Sequence, residues 1–384
     1  MTWFSDPKEG IEIKRLLGML SNPDLKKRNQ AAREFLKLGE KGASALVATL
    51  ETQDNDLREL VARILIRLGN KALPALHNTL SESSLNKQDE VIEILGEMKG
   101  KEVLEVLFQV LKNSEYRQRI LAAKMLAKIG DRQATPQLLV ALSDSDPDVR
   151  IAAVIALGKF RDPETYLNIV DLLSDVEINV RLAAVKVLGE IKAPSTIPYL
   201  VDALQDSFWG YDKNNAIQTL VNVIASFGKN ALSELSKAMK SKDPNVRRYA
   251  ISLLRPLREP QMMGALEMAF YDTNYDVAEN ALAALLEFGE GALPIIAKAL
   301  VTPNEWLREK SVWGLGEIGG EQATIYLLEM LGDEADSVRK EAISSLKKLK
   351  DPHALPTLRA IASARDNREI SRLARQAIAA IEAP

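Results

Sequence analysis

The sequence predicts an all-α protein: about twelve helical hairpins stacked into a right-handed superhelical α-solenoid. It runs over 1–384 as a single elongated domain, with an irregular unit and an aromatic insertion near 205–230. Three observations predict this. One sequence frame recurs along the chain, apolar residues inside each period keep helical spacing, and helix-start and helix-stop residues fall at fixed places in the frame.

The frame is visible when DPDVRIAAVIALGKF (146–160) is laid over VEINVRLAAVKVLGEI (176–191), DPNVRRYAISLLRPL (243–257) and EADSVRKEAISSLKKL (334–349). A valine precedes an arginine, an alanine follows three residues later, and an apolar residue follows at ten. The arginine position falls at Arg28, Arg58, Gln88, Arg119, Arg150, Arg181, Arg247, Ala278, Arg308, Arg339 and Ser371. Steps are 30 to 32 residues, except for 66 between Arg181 and Arg247, which leaves room for one further unit.

Each unit divides into two helices. The first carries apolar residues at helical spacing, as in TYLNIVDLL (165–173) and TIPYLVDAL (196–204). The second starts four residues before the frame arginine, where Asp24, Asp54, Ser84, Asp146, Asp243, Asn274, Asn304 and Asn367 can accept a hydrogen bond from a first-turn N–H. Pro23, Pro147 and Pro244 stand beside this cap, at or near the first helical position, where a missing N–H costs nothing. The alanine at frame +3 is small enough to let neighbouring helices approach. Gly39, Gly69, Gly130, Gly228, Gly289 and Gly319 close the second helix with a left-handed residue. One such hairpin cannot bury its own apolar faces, so the units must stack.

The run DPDVRIAAVIALGKFRDP (146–163) and its copies are similar to HEAT-like repeats of the phycobilisome-lyase type, over nearly the whole chain. Tetratricopeptide and ankyrin patterns fit worse; LPALHNTL (73–80) matches part of an ankyrin signature but occurs once. The resemblance implies that the frame arginine reaches acidic or carbonyl groups in adjacent turns as a ladder. It also implies that the second helices line a concave groove.

Composition narrows the functions. The chain is 46% hydrophobic and 27% charged, with a formal charge of −3, so a globally basic nucleic-acid footprint is missing. There is no cysteine, which removes thiolate chemistry and suits a cytoplasmic setting. MTWFSDPKEG lacks the order of a signal peptide, and no apolar run is long enough to span a membrane. The two histidines, His77 and His353, are far apart and neither has a second ligand at helical spacing, so no metal site or catalytic triad is expected. No phosphate-loop motif is present. No cofactor is called for.

Candidate sites are therefore surfaces. With the core stripe of the second helix at frame −1, +3, +6 and +10, the groove side is +1, +4, +5 and +8. Polar residues dominate +1 and +5, apart from Ile120, Ile151, Ile155 and Leu182 on three consecutive units, with Lys186 beside them and Trp313 further on. The strip is either an apolar docking site or buried by close curvature. The stretch DSFWGYDKNN (206–215) places Phe208, Trp209 and Tyr211 between the two helices of the irregular unit, where Trp306 marks the same junction elsewhere. It is either a structural cap or a set of interface anchors at the rim of the stack. Residues 259–338 carry fifteen Asp/Glu against three Lys/Arg, and residues 339–384 carry ten Lys/Arg against five Asp/Glu. The acidic block argues against nucleic acid lying along the whole groove.

The expected work is that of a non-catalytic scaffold or adaptor, a cytoplasmic monomer with no membrane contact that binds another protein or peptide along the groove. The repeat type implies an alternative, a bilin lyase or bilin-attachment chaperone, which a bilin absorbance change on binding would reveal. A HEAT-like DNA glycosylase is a further alternative, marked by salt-sensitive DNA binding and disfavoured by the acidic block.

Overall fold

The computed structural model of the chain describes residues 7–82, 84–206, 209, 216–364 and 367–383. Every element among the described residues is helical, and twenty-four α-helices alternate as first and second arms of twelve hairpins. The first six hairpins are α1 (Pro7–Leu20) with α2 (Leu25–Leu38), α3 (Glu40–Val47) with α4 (Asn55–Leu68), α5 (Leu73–Glu82) with α6 (Leu85–Glu97), α7 (Lys101–Asn113) with α8 (Tyr116–Ile129), α9 (Thr135–Ala141) with α10 (Pro147–Phe160), and α11 (Tyr166–Asp171) with α12 (Ile178–Ile191). The last six are α13 (Ile197–Ala203) with α14 (Ala216–Ser226), α15 (Leu232–Ala238) with α16 (Pro244–Leu254), α17 (Met263–Phe270) with α18 (Tyr275–Leu286), α19 (Leu293–Lys298) with α20 (Glu305–Ile318), α21 (Glu321–Met330) with α22 (Asp336–Leu349), and α23 (Leu355–Ser363) with α24 (Arg368–Glu382).

The helices fall into two compact units. One holds α1–α12 and α14 up to Leu220; the other holds α13, α14 from Val221, and α15–α24. In the first, second arms pack in series, α6 on α8, α8 on α10 and α10 on α12, while α3, α5, α7 and α9 form a parallel row of first arms. In the second, α16, α18, α20, α22 and α24 form the same kind of series. Each unit is thus a two-layer stack, as expected of repeats that bury their faces only against neighbours.

Local sequence explains where the arms begin and end. In all eleven hairpins with a frame position, the residue four before it is the N-cap of the second arm. Asp146 accepts from the N–H groups of Asp148 and Val149 at 2.9 and 3.2 Å, a cap worth about 1 kcal/mol. Ser84 departs from this: its hydroxyl donates to Glu51 at 2.8 Å instead of capping its own helix. The six expected glycines all have positive φ. Four further second arms end on a residue with positive φ that is not glycine: Arg161, Lys192, Arg258 and Lys350. Each precedes an X-Pro pair, and the residue before a proline is held extended, so the turn must be made one residue earlier.

The core follows the frame. Every frame +3 side chain is fully buried: the eight alanines, and Val61, Val91 and Ser311 in the other three hairpins. The groove side is narrower than +1, +4, +5 and +8. At +4, Ile92, Val154, Val185, Ile251, Leu282, Val312 and Ile343 are buried. At +8, a Cβ built on Gly158 would lie 2.6 Å from Val187 Cγ1 of the next second arm. A helix flanked on both sides by equivalent helices buries three of its sides, which leaves the +1 and +5 ridge open, continued at +9 by the exposed Lys159, Glu190 and Glu317.

Candidate partner-binding face

The frame arginines are occupied internally. Arg150 donates through Nε and Nη2 to the two carboxylate oxygens of Asp175, both at 2.8 Å, and through Nη1 to the carbonyl of Asp144 at 2.8 Å. Arg119 with Asp144, Arg247 with Asp272 and Arg308 with Asp333 repeat the fork, always 25 residues ahead. Each aspartate also accepts the N–H two residues on, as Asp175 does from Glu177 at 2.9 Å. One carboxylate therefore shapes its own loop while it ties the preceding hairpin. Burial alone would raise the carboxyls of Asp144, Asp272 and Asp333; the arginine and backbone N–H bonds outweigh it and hold them below the ordinary range. The arginines make a ladder, with no guanidinium of these four left for a phosphate.

The sequence-predicted site residues separate on inspection of their surroundings. Ile120, Ile151 and Leu182 sit at equivalent register on α8, α10 and α12 and are half-buried. Ile155 is 45% exposed, and Lys186 is exposed beside it in register. First arms expose apolar residues too, including Val140, Leu167, Met268 and Ile325, so apolar exposure is not confined to the strip. Trp209 is only 1% exposed and is among the largest fully buried side chains, so its ring packs inside and is not an anchor offered to solvent. Phe208 and Tyr211 lie outside the described residues.

Trp313 stands apart. It occupies the +5 position of α20 and is 40% exposed. It borders a cavity of about 410 Å³ lined by Glu279 and Ala283 of α18, Glu309 and Lys310 of α20, and Glu341 of α22. Glu279, Ala283 and Glu309 are +1 and +5 residues, whereas Lys310 and Glu341 reach in from +2, a position the sequence reading left out. The Lys310 ammonium lies 2.7 Å from Glu279 and 5.7 Å from the centre of the Trp306 ring. Burial, with the charge of Glu309 nearby, holds the Glu341 carboxyl above its ordinary range; the Ser345 hydroxyl at 3.4 Å offsets this only in part.

Neither histidine contributes to this face. His77 Nε2 is 3.0 Å from Gln109 Oε1, and His353 Nδ1 is 2.8 Å from Asp351 Oδ1. Among the described residues, no group of three or more His, Asp or Glu side chains could hold a metal ion, and no helix is long and apolar enough to cross a membrane.

A family model for HEAT repeats matches residues 73–142, 135–221, 262–343 and 293–379. No curated protein matches the chain by sequence. Among solved structures, the chain is similar to Kap121p bound to Nup53p, with a TM-score of 0.51 and 12% identity over 99% of this chain and 50% of that one. It is similar also to the karyopherin Kap121p bound to the extreme C-terminus of the protein phosphatase Cdc14p, with a TM-score of 0.50, 12% identity and the same coverage. The chain thus spans half the length of these structures, which share its fold.

Proposed function

Because the chain belongs to the HEAT-repeat family, we propose that it is a non-catalytic scaffold or adaptor that binds another protein or peptide along the +1 and +5 ridge of its second arms. The observation that carries this reading is the cavity beside Trp313. There a large aromatic side chain is left exposed on the one side of a second arm that stacking does not cover. Exposed tryptophan at a recess is the residue type most often found to anchor a partner. Within the first unit, Ile155 and Lys186 supply a place at the equivalent register, with Ile120, Ile151 and Leu182 half-buried at +1. The absence of cysteine supports a cytoplasmic setting.

The test places a photo-crosslinking residue at position 155 and, separately, at 313, and identifies the crosslinked protein. Ile155→Asp and Trp313→Ala should then each weaken capture of that protein while the helical circular dichroism and melting stay as in the parent. Unchanged capture by both variants would sink the assignment of the ridge. A crosslinked small molecule and no protein would sink the scaffold reading itself.

A further inference from the structure

We propose that the Trp313 cavity is a receptor for one cationic side chain of the protein partner, an arginine in preference to a lysine. This rests on the scaffold reading and names the chemistry of the partner at one point. The cavity holds three carboxylates and one ammonium, and the ammonium is already committed: Lys310 pairs with Glu279 and lies over Trp306. Glu309 makes no hydrogen bond or ion pair among the described residues, and Glu341 has only the long bond from Ser345. Two carboxylates thus face a recess bordered by an exposed indole without an ion pair of their own, the Lys310 ammonium acting on Glu341 only at a distance.

A cation entering this space gains from both sides. The indole face attracts it through the ring quadrupole, and desolvation inside the recess strengthens that attraction. The carboxylates accept its hydrogen bonds. A guanidinium fits better than an ammonium, because it is planar, stacks on an aromatic face and can fork onto a carboxylate while stacked. The volume of about 410 Å³ lies in the range of ligand recesses, roughly 300–1,000 Å³, and accommodates a side chain with its flanking backbone. The charge of the surroundings agrees: Trp313 stands within residues 259–338, where fifteen acidic residues outnumber three basic ones, so a basic segment would be steered toward it.

The experiment titrates the full chain by calorimetry with an acetylated, amidated Gly-Gly-Arg-Gly-Gly peptide. Parallel arms use the same peptide with lysine, the same peptide with citrulline (a neutral isostere), and free L-arginine. The arginine peptide should bind, lysine should bind more weakly, and citrulline should lose about tenfold or more, a loss of the size expected for one desolvated cation–π contact with its charge-assisted bonds. Trp313→Ala and the isosteric pair Glu309→Gln with Glu341→Gln should each lose a similar factor while melting no lower than the parent. Equal binding of citrulline, or undiminished binding by both variants, would overturn the proposal. Free L-arginine binding as tightly as the peptide would overturn it as well, since the occupant would then be a small molecule. A chain that still captures a protein through Ile155 but ignores the arginine peptide refutes the cation receptor and leaves the scaffold reading standing.

Discussion

Arg308 holds Asp333 across two successive hairpins through paired bonds of 2.9 and 3.0 Å, with only 6% and 7% of the two side chains exposed. The same guanidinium donates to the carbonyl of Thr302 at 2.9 Å, so one residue links its own loop to the next.

Removing the carboxylate should be costly. Asp333→Ala takes the fork from a buried guanidinium and leaves it only the exposed Glu334 carboxylate at 3.3 Å, so the loss should be about 3 kcal/mol in denaturant unfolding of the second unit. Glu34→Ala removes one side of the exposed Lys37 pair at 2.8 Å and should cost less than about 1 kcal/mol. Equal effects from the two would mean that the ladder does not hold the stack.

Acid should loosen the ladder. Asp144, Asp272 and Asp333 titrate below their unfolded value of about 3.9, so the stability they contribute is full above that value and is lost as pH falls through the lower folded values. Melting temperature should therefore fall steeply below about pH 4. The Asp333→Ala variant should show a shallower fall than the parent. Glu341 has the opposite sign: its folded carboxyl titrates high, so Glu341→Gln should raise stability at neutral pH.

The frame +3 and +8 rows set the distance between second arms. Ala153→Leu forces a large side chain into a fully buried position and should cost about 1–3 kcal/mol. Gly158→Ala should destabilise as well, because Val187 Cγ1 already occupies the space its Cβ would need. Parent-like melting of either variant would mean that neighbouring arms can shift apart freely.

The helix ends allow a gain. Arg161 sits at φ 49° with its N–H donating to the carbonyl of Gly158 at 3.3 Å, a left-handed conformation that costs a residue with a Cβ roughly 1 kcal/mol. Arg161→Gly should recover part of that cost and raise the melting temperature, whereas Gly130→Ala at φ 75° should lower it.

Much of this architecture was legible because a repeat states each rule many times. The cap positions, the six glycine ends and the buried +3 row could all be read from one frame. The partner of the frame arginine was less visible: the aspartate lies 25 residues on, inside a loop, and no periodicity within a single helix points to it. The width of the open ridge was misjudged for a related reason. A helical wheel describes one helix, whereas Val154 is buried by α10's neighbours and Gly158 is closely approached by Val187 of α12. Trp313 was found from its +5 position, but Glu341 reaches the same cavity from a +2 position on another helix.

The fork from one hairpin to the next is absent from part of the chain. The position 25 residues beyond Arg28 is Gln53, and beyond Ala278 it is Pro303. Arg58 turns instead to the Thr52 carbonyl at 3.4 Å and to Asn55, and meets the next hairpin only through a single ion pair with Glu90 at 4.0 Å. Adjacent repeats are therefore fastened with unequal strength, and amide protons near α2 and α4 should exchange with solvent sooner than those of α10 or α20. In mechanical terms the first two hairpins are the compliant stretch of the first unit, expected to open and reclose while the clasped stretches of that unit keep their register.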